Sequence, residues 1–121
     1  ARTTMSVSDL NAEDFDMVIL PGGFEAPDRV RLLPEVLGFL RKMNEQKKLI
    51  AAICHGPWIM ISAGITKDRK MTAFWSIEAD LRNSGADYQH KVPVVIDGNF
   101  ITSPHYNNNS DFMKAVVNYF Q

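Results

Sequence analysis

Lys48 to Trp58 reads KLIAAICHGPW. Leu49 to Ile53 form a short run of apolar or small residues, and Cys54, His55, Gly56 and Pro57 stop it, which predicts a buried strand ending at a sharp turn. Upstream, Asp16 to Leu20 (DMVIL) is a second short apolar run, halted by Pro21, Gly22 and Gly23. The stretch PGGFEAPDRVRL that follows reads as a loop. Pro34 then suits the first position of a helix, where its missing N–H would be unpaired in any case. Val36, Leu37, Leu40 and Met43 recur at helical spacing, with Glu35, Arg41, Lys42, Glu45 and Gln46 on the outer face. Residues 16–53 therefore predict one β-α-β unit with a parallel pair of strands.

Downstream of the turn, Pro57 again suits a helix start, Ile59, Met60 and Ala63 continue it, and Gly64 reads as a left-handed C-cap. RKMTA is a weak strand, and Ser76 reads as the cap of a helix IEADLRNS ended by Gly85. VPVVIDGNFIT sets two apolar runs around Asp97-Gly98, a pair favoured in tight hairpin turns. The last segment offers Ser110 as a cap, with Phe112, Val116, Tyr119 and Phe120 as an apolar stripe. Together these predict a single α/β domain spanning 1–121: a flavodoxin-like three-layer sandwich with a mostly parallel sheet, a nucleophile elbow and an appended β-hairpin.

Composition narrows the function classes. The 121 residues are 45% hydrophobic and 22% charged, with formal net charge -1. A chain of this size buries roughly 65% of its unfolded surface, enough for a core without disulfide or metal staples. No Lys/Arg run exceeds a pair, so we expect neither nucleic acid nor an acidic membrane as partner. No apolar stretch approaches a membrane span, and the first residues lack the basic-then-apolar order of a signal peptide. With its single cysteine, the chain is expected to be cytoplasmic.

In open α/β sheets, ligands bind beyond the carboxyl ends of the parallel strands. After Leu20, Gly22 and Gly23 expose backbone that a ligand can approach closely. After Ile53, a strand-to-helix elbow would lift Cys54 out of the sheet, where helix N–H groups and the macrodipole favour a thiolate. A lone cysteine after an apolar run is also an ordinary small buried side chain; the Gly-Pro that follows favours the turn. His55 could share the surface with Cys54, but a general base needs an orienting partner, for which Glu25 and Asp28 are the nearest acids by topology. Trp75 and His105 are further candidate substrate contacts, and His90 reads as a surface residue. Cys54, His55 and His105 show no metal-ligand spacing, so no metal is expected.

AAICHGPWIMISAGI, with DMVILPGG upstream and VVIDGNFITS downstream, closely resembles the PfpI/ThiJ superfamily. That group holds intracellular proteases, glyoxalase III-like enzymes, proposed protein deglycases and the parkinsonism-associated redox protein, on a class I glutamine-amidotransferase-like fold. The resemblance implies Cys54 as nucleophile, His55 as its histidine, and backbone N–H groups of Gly23 and His55 as an oxyanion hole. It implies an acid from a neighbouring subunit orienting His55, with Asp28 and Glu25 both open for the role, in a homo-oligomer, a dimer or a hexamer. Relatives usually carry Ser-Arg after the hairpin, where this chain has Ser103, Pro104 and His105. They also begin with a further β-α-β unit bearing a glutamate that tunes the cysteine. This sequence opens on Ala1-Arg2, in residues that already read as strand, so the domain is expected to be N-terminally incomplete, with that unit supplied by a preceding segment or another chain.

The expected activity is cysteine-dependent chemistry on a small carbonyl compound or a peptide, glyoxalase III-like, deglycase, protease or amidase, with no cofactor. The alternatives are an oxidative-stress sensor or chaperone-like protein using the same cysteine, and a catalytically silent domain of a larger protein.

Overall fold

The computed structural model describes residues 6–121, and within them the run Leu49–Ile53 is a strand buried along its whole length. Numbered in chain order, the strands of the main sheet are β1 (Met17–Leu20), β2 (Leu49–Ile53), β5 (Val95–Asp97) and β6 (Phe100–Ser103), arranged β1-β2-β6-β5. β1 and β6 flank β2 in parallel, and β5 closes the edge antiparallel to β6. β2 is thus an inner strand covered on both faces, which is why its sequence does not alternate.

Successive side chains of a strand point to opposite faces. Leu49, Ala51 and Ile53 pack with Ile101 of β6 against Phe112 and Val116 of α5 (Asn109–Tyr119). Ile50 and Ala52 join Leu20 and Phe100 in the larger core on the other face. That core is filled by Phe39, Leu40 and Met43 of α2 (Pro34–Glu45), Ile59 and Met60 of α3 (Pro57–Ala63), and Leu81 of α4 (Glu78–Asn83). Burial of each such side chain contributes roughly 1.5–3 kcal/mol. Pro34 and Pro57 both open their helices, and Gly64 at φ 74° ends α3.

Several local expectations change. The stretch after Gly23 contains a short helix, α1 (Glu25–Val30), in place of a continuous loop. Pro27 sits in its first turn, where no intrahelical donor is lost, and Glu25 pairs with Arg29 one turn on at 2.6 Å. Neither Ser76 nor Ser110 caps a helix: Trp75–Ile77 and Tyr106–Asn108 are 3-10 turns leading into α4 and α5, and the helices' N-cap residues are Ile77 and Asn108. The α5 stripe is only half buried, since Phe112 and Val116 face the core while Tyr119 and Phe120, at the helix end, are exposed. RKMTA supplies only β3 (Lys70–Met71), which pairs with β4 (Asp87–Tyr88) in a separate two-stranded parallel sheet. The hairpin enters the main sheet through β6, an inner strand. The strand expected at the opening of the chain, residues 1–5, lies outside the described residues. Among those described, no helix is long and apolar enough to cross a membrane.

Candidate active site

β1 and β2 run in register, with Leu20 opposite Ala52, so the segments leaving them emerge side by side. Cys54 takes φ 64°, a left-handed conformation that costs a non-glycine residue about 1–3 kcal/mol and persists only where its surroundings enforce it. Backbone bonds on both sides do so. The Cys54 N–H donates to the Ser103 carbonyl at 2.9 Å, and the Cys54 carbonyl accepts from the Phe74 N–H at 2.8 Å. The turn closes with the Gly56 N–H donating to the Ile53 carbonyl at 2.9 Å.

Two glycines are dictated by close approach. A Cβ on Gly56 would stand 2.5 Å from the Leu20 carbonyl oxygen, and one on Gly22 would stand 2.6 Å from the Cys54 Cβ. Gly22 therefore makes room for the cysteine itself. Gly23, at φ 86°, has open space where a Cβ would stand. Among the described residues, neither the Gly23 N–H nor the His55 N–H donates a hydrogen bond.

His55 lies half buried beside the thiol, its Nδ1 3.8 Å from Cys54 Sγ. Its ring stacks on Phe74, with centroids 5.2 Å apart and planes at 25°, and meets Trp58 and Phe24 edge-on at 4.9 and 5.8 Å. Burial pushes its pKa below the usual histidine value. Nε2 lies 3.2 Å from Ser76 Oγ. The aromatic row continues from Phe74 to Trp75 and His105, whose rings stack on each other at 5.5 Å and 10°. His105 is thus part of the site's surroundings, with its Nδ1 accepting from the Asn107 N–H at 3.1 Å. His90 lies apart, beside Tyr88 and Glu78.

The DJ-1/PfpI family model matches residues 1–119. The chain belongs to the DJ-1/PfpI family. It is 39% identical over 116 residues to Deglycase PfpI of Pyrococcus furiosus, covering 96% of this chain and 69% of that one. A putative cysteine protease of Bacillus subtilis, YraA, is 40% identical over 98 residues, covering 81% of this chain and 57% of that one. Among solved structures, a two-domain protein of Anabaena variabilis containing DJ-1/ThiJ/PfpI-like and ferritin-like domains superposes with a TM-score of 0.91 at 37% identity, over 94% of this chain and 32% of that one. The chain spans roughly three fifths to two thirds of the length of the first curated DJ-1/PfpI relatives it matches.

Of the residues singled out in the sequence, Cys54, His55, Gly22 and Gly23 come together at the ends of β1 and β2, and Trp75 and His105 line the neighbouring aromatic row. Glu25 and Asp28 do not join them within the chain: both are exposed on α1, and neither bonds His55. Sequence reasoning missed Phe74 and Ser76 as neighbours of the histidine. Ser76 carried only a capping signal, and its position beside His55 depends on the path of the chain through β3.

Proposed function

We propose that this chain carries the nucleophilic centre of a cysteine-dependent enzyme acting on carbonyl compounds, and that its substrates are α-oxoaldehydes and their adducts with amines. The observation that carries this reading is Cys54 held at φ 64° with its Sγ 3.8 Å from His55 Nδ1. Strained, over-determined backbone concentrates at sites of chemistry. The choice of carbonyl substrate leans on the name Deglycase given to relatives 39 to 41% identical to this chain.

In this scheme the Cys54 sulfur attacks the aldehyde carbon as His55 takes the thiol proton at Nδ1. A C–S bond forms, and the carbonyl electron pair moves onto oxygen, where the N–H groups of Gly23 and His55 stabilise it. The protonated oxyanion is a hemithioacetal. His55 then moves a proton from the former aldehyde carbon to the adjacent ketone carbon while the hydroxyl proton on the former passes to the ketone oxygen, leaving a 2-hydroxy thioester that water cleaves to a 2-hydroxy acid and free thiol. The sum is addition of one water to the oxoaldehyde, with no net oxidation or reduction. Glu25 and Asp28, exposed on α1, are available in this reading to a neighbouring copy of the chain.

The test is 2-hydroxy acid formation from methylglyoxal by the full-length native protein and its Cys54→Ala variant. Turnover should vanish in the variant, and general acid–base assistance predicts a loss of about 100-fold or more in His55→Ala. Turnover that survives in Cys54→Ala overturns the reading.

A further inference from the structure

The three rings around His55 set its plane but leave one question open. Stacking on Phe74 with Trp58 and Phe24 edge-on confines the imidazole, yet a half-turn of the ring about its own axis would keep those contacts. That half-turn would bring Cδ2 to the thiol in place of Nδ1. It would also bring Cε1 to Ser76 in place of Nε2. Only the two polar contacts, Nδ1 to Cys54 Sγ and Nε2 to Ser76 Oγ, distinguish the orientations.

These contacts also choose the tautomer. A neutral imidazole has one N–H, and it settles on the nitrogen facing the better acceptor. Hydroxyl oxygen at 3.2 Å is a much better acceptor than thiol sulfur at 3.8 Å. We propose that Ser76 is a positioning residue, whose hydroxyl accepts a hydrogen bond from His55 Nε2–H and so keeps the Nδ1 lone pair facing the Cys54 thiol. The catalytic value of this arrangement rests on the reading of Cys54 and His55 as nucleophile and base; the tautomer does not.

A hydroxyl suits this task differently from a carboxylate. It accepts from Nε2–H in both the neutral ring and the imidazolium, so proton transfer from the thiol requires no rearrangement of Ser76. It also adds no charge that would favour the imidazolium beforehand, and so does not oppose the downward direction in which burial moves the histidine pKa. The titratable and charged groups on the elements around His55 include Cys54 itself, Asp80 and Arg31 on the indole of Trp58, His105 beyond Phe74, Lys91 over Trp75, Glu25 and Asp28 of α1 beyond Phe24, and Glu78 and Arg82 of α4. Asp80 accepts from Trp58 Nε1 at 2.9 Å and Arg31 donates to Ser62 at 2.8 Å. Among the described residues, the hydrogen-bonding groups on the His55 nitrogens are therefore a thiol and a hydroxyl.

Nitrogen-15 NMR of the histidine ring reads the tautomer directly, with the His55 signals assigned by their loss in His55→Gln. Iodoacetamide alkylation of Cys54 across pH reads its consequence. Both use the full-length native protein. The wild type is expected to carry its proton on Nε2. Ser76→Ala should give a mixture of tautomers and slow alkylation at neutral pH by about tenfold, the size of one lost hydrogen bond. Ser76→Thr should restore both, and Ser76→Asp, by favouring the imidazolium beside the thiol, should move the acid limb of the alkylation profile to lower pH. A wild-type proton on Nδ1, or an Ser76→Ala variant with unchanged tautomer and unchanged profile, overturns the proposal. If methylglyoxal is not turned over while the NMR result holds, the functional reading fails and the positioning role stands.

Discussion

The two ends of the sheet treat their polar groups in opposite ways. At the carboxyl end of β2, Cys54 is strained, the His55 and Gly23 N–H groups are uncommitted, and aromatic rings stand partly in solvent, with Phe24 at 66% and Tyr106 at 68% exposure. At the opposite end, Arg69 is tied down on every side. Its guanidinium lies 3.5 Å from the ring centre of Phe100, and donates to the Asp97 carboxylate at 3.3 Å, the Asp97 carbonyl at 2.7 Å and the Asn99 side chain at 2.9 Å. Asn99 in turn donates to Asn44 at 3.1 Å and to the Lys48 carbonyl at 2.9 Å, which ties the hairpin to the end of α2 and the start of β2. The Asp97 carboxylate also accepts from the Lys70 N–H at 2.8 Å. One end closes its hydrogen bonds and fixes the fold. The other leaves backbone donors and a free thiol open, as a site for a reacting molecule would require.

The largest effect is expected at the elbow. Gly56→Ala sets a methyl against backbone oxygens of Leu20 and Ile53, neither of which can move without opening the sheet, so unfolding stability should fall by about 3 kcal/mol in a denaturant titration. Loss of Cys54 alkylation specificity should accompany it, because the same clash displaces the turn. Arg69→Met is expected to cost about 2 kcal/mol, since it removes charge-assisted bonds and leaves partly buried acceptors of Asp97 and Asn99 without their donor. Its alkylation rate below the transition should equal wild type. A slowed rate in folded Arg69→Met would show that the two ends are coupled.

The smallest effect comes from pH. Burial lowers the folded-state pKa of His55, so between its unfolded and folded values the unfolded chain binds more protons. Stability conferred by the neutral ring is present above the unfolded value of about 6.5 and is lost as pH falls through it toward the lower folded value. The melting temperature of wild type should thus drop more between pH 7 and pH 5 than that of His55→Gln, as read by calorimetry. Equal drops would show that His55 does not carry this pH dependence.

Much of this was legible in local sequence. Apolar runs bounded by Pro-Gly-Gly, Cys-His-Gly-Pro and Asp-Gly name three strand ends, because a strand needs only a run of apolar residues and a stop. Pro34, Pro57 and Gly64 mark helix ends for equally local reasons. The misreadings share a cause. Ser76 and Ser110 have the side chain of a helix cap, but the preceding 3-10 turns move the helix starts away from them. Tyr119 and Phe120 continue an apolar period beyond the reach of the sheet.

By itself, then, the sequence determined the β-α-β unit, the elbow at Cys54 and the hairpin, since each follows from contacts within a few residues. Only the tertiary structure decided that Gly22 is there to clear the Cys54 Cβ, that Arg69 locks the far end, and that a serine faces the histidine. Those three depend on segments brought together by strand pairing, and hydrophobic periodicity sets which face of a strand is buried without saying which polar atoms meet at its ends.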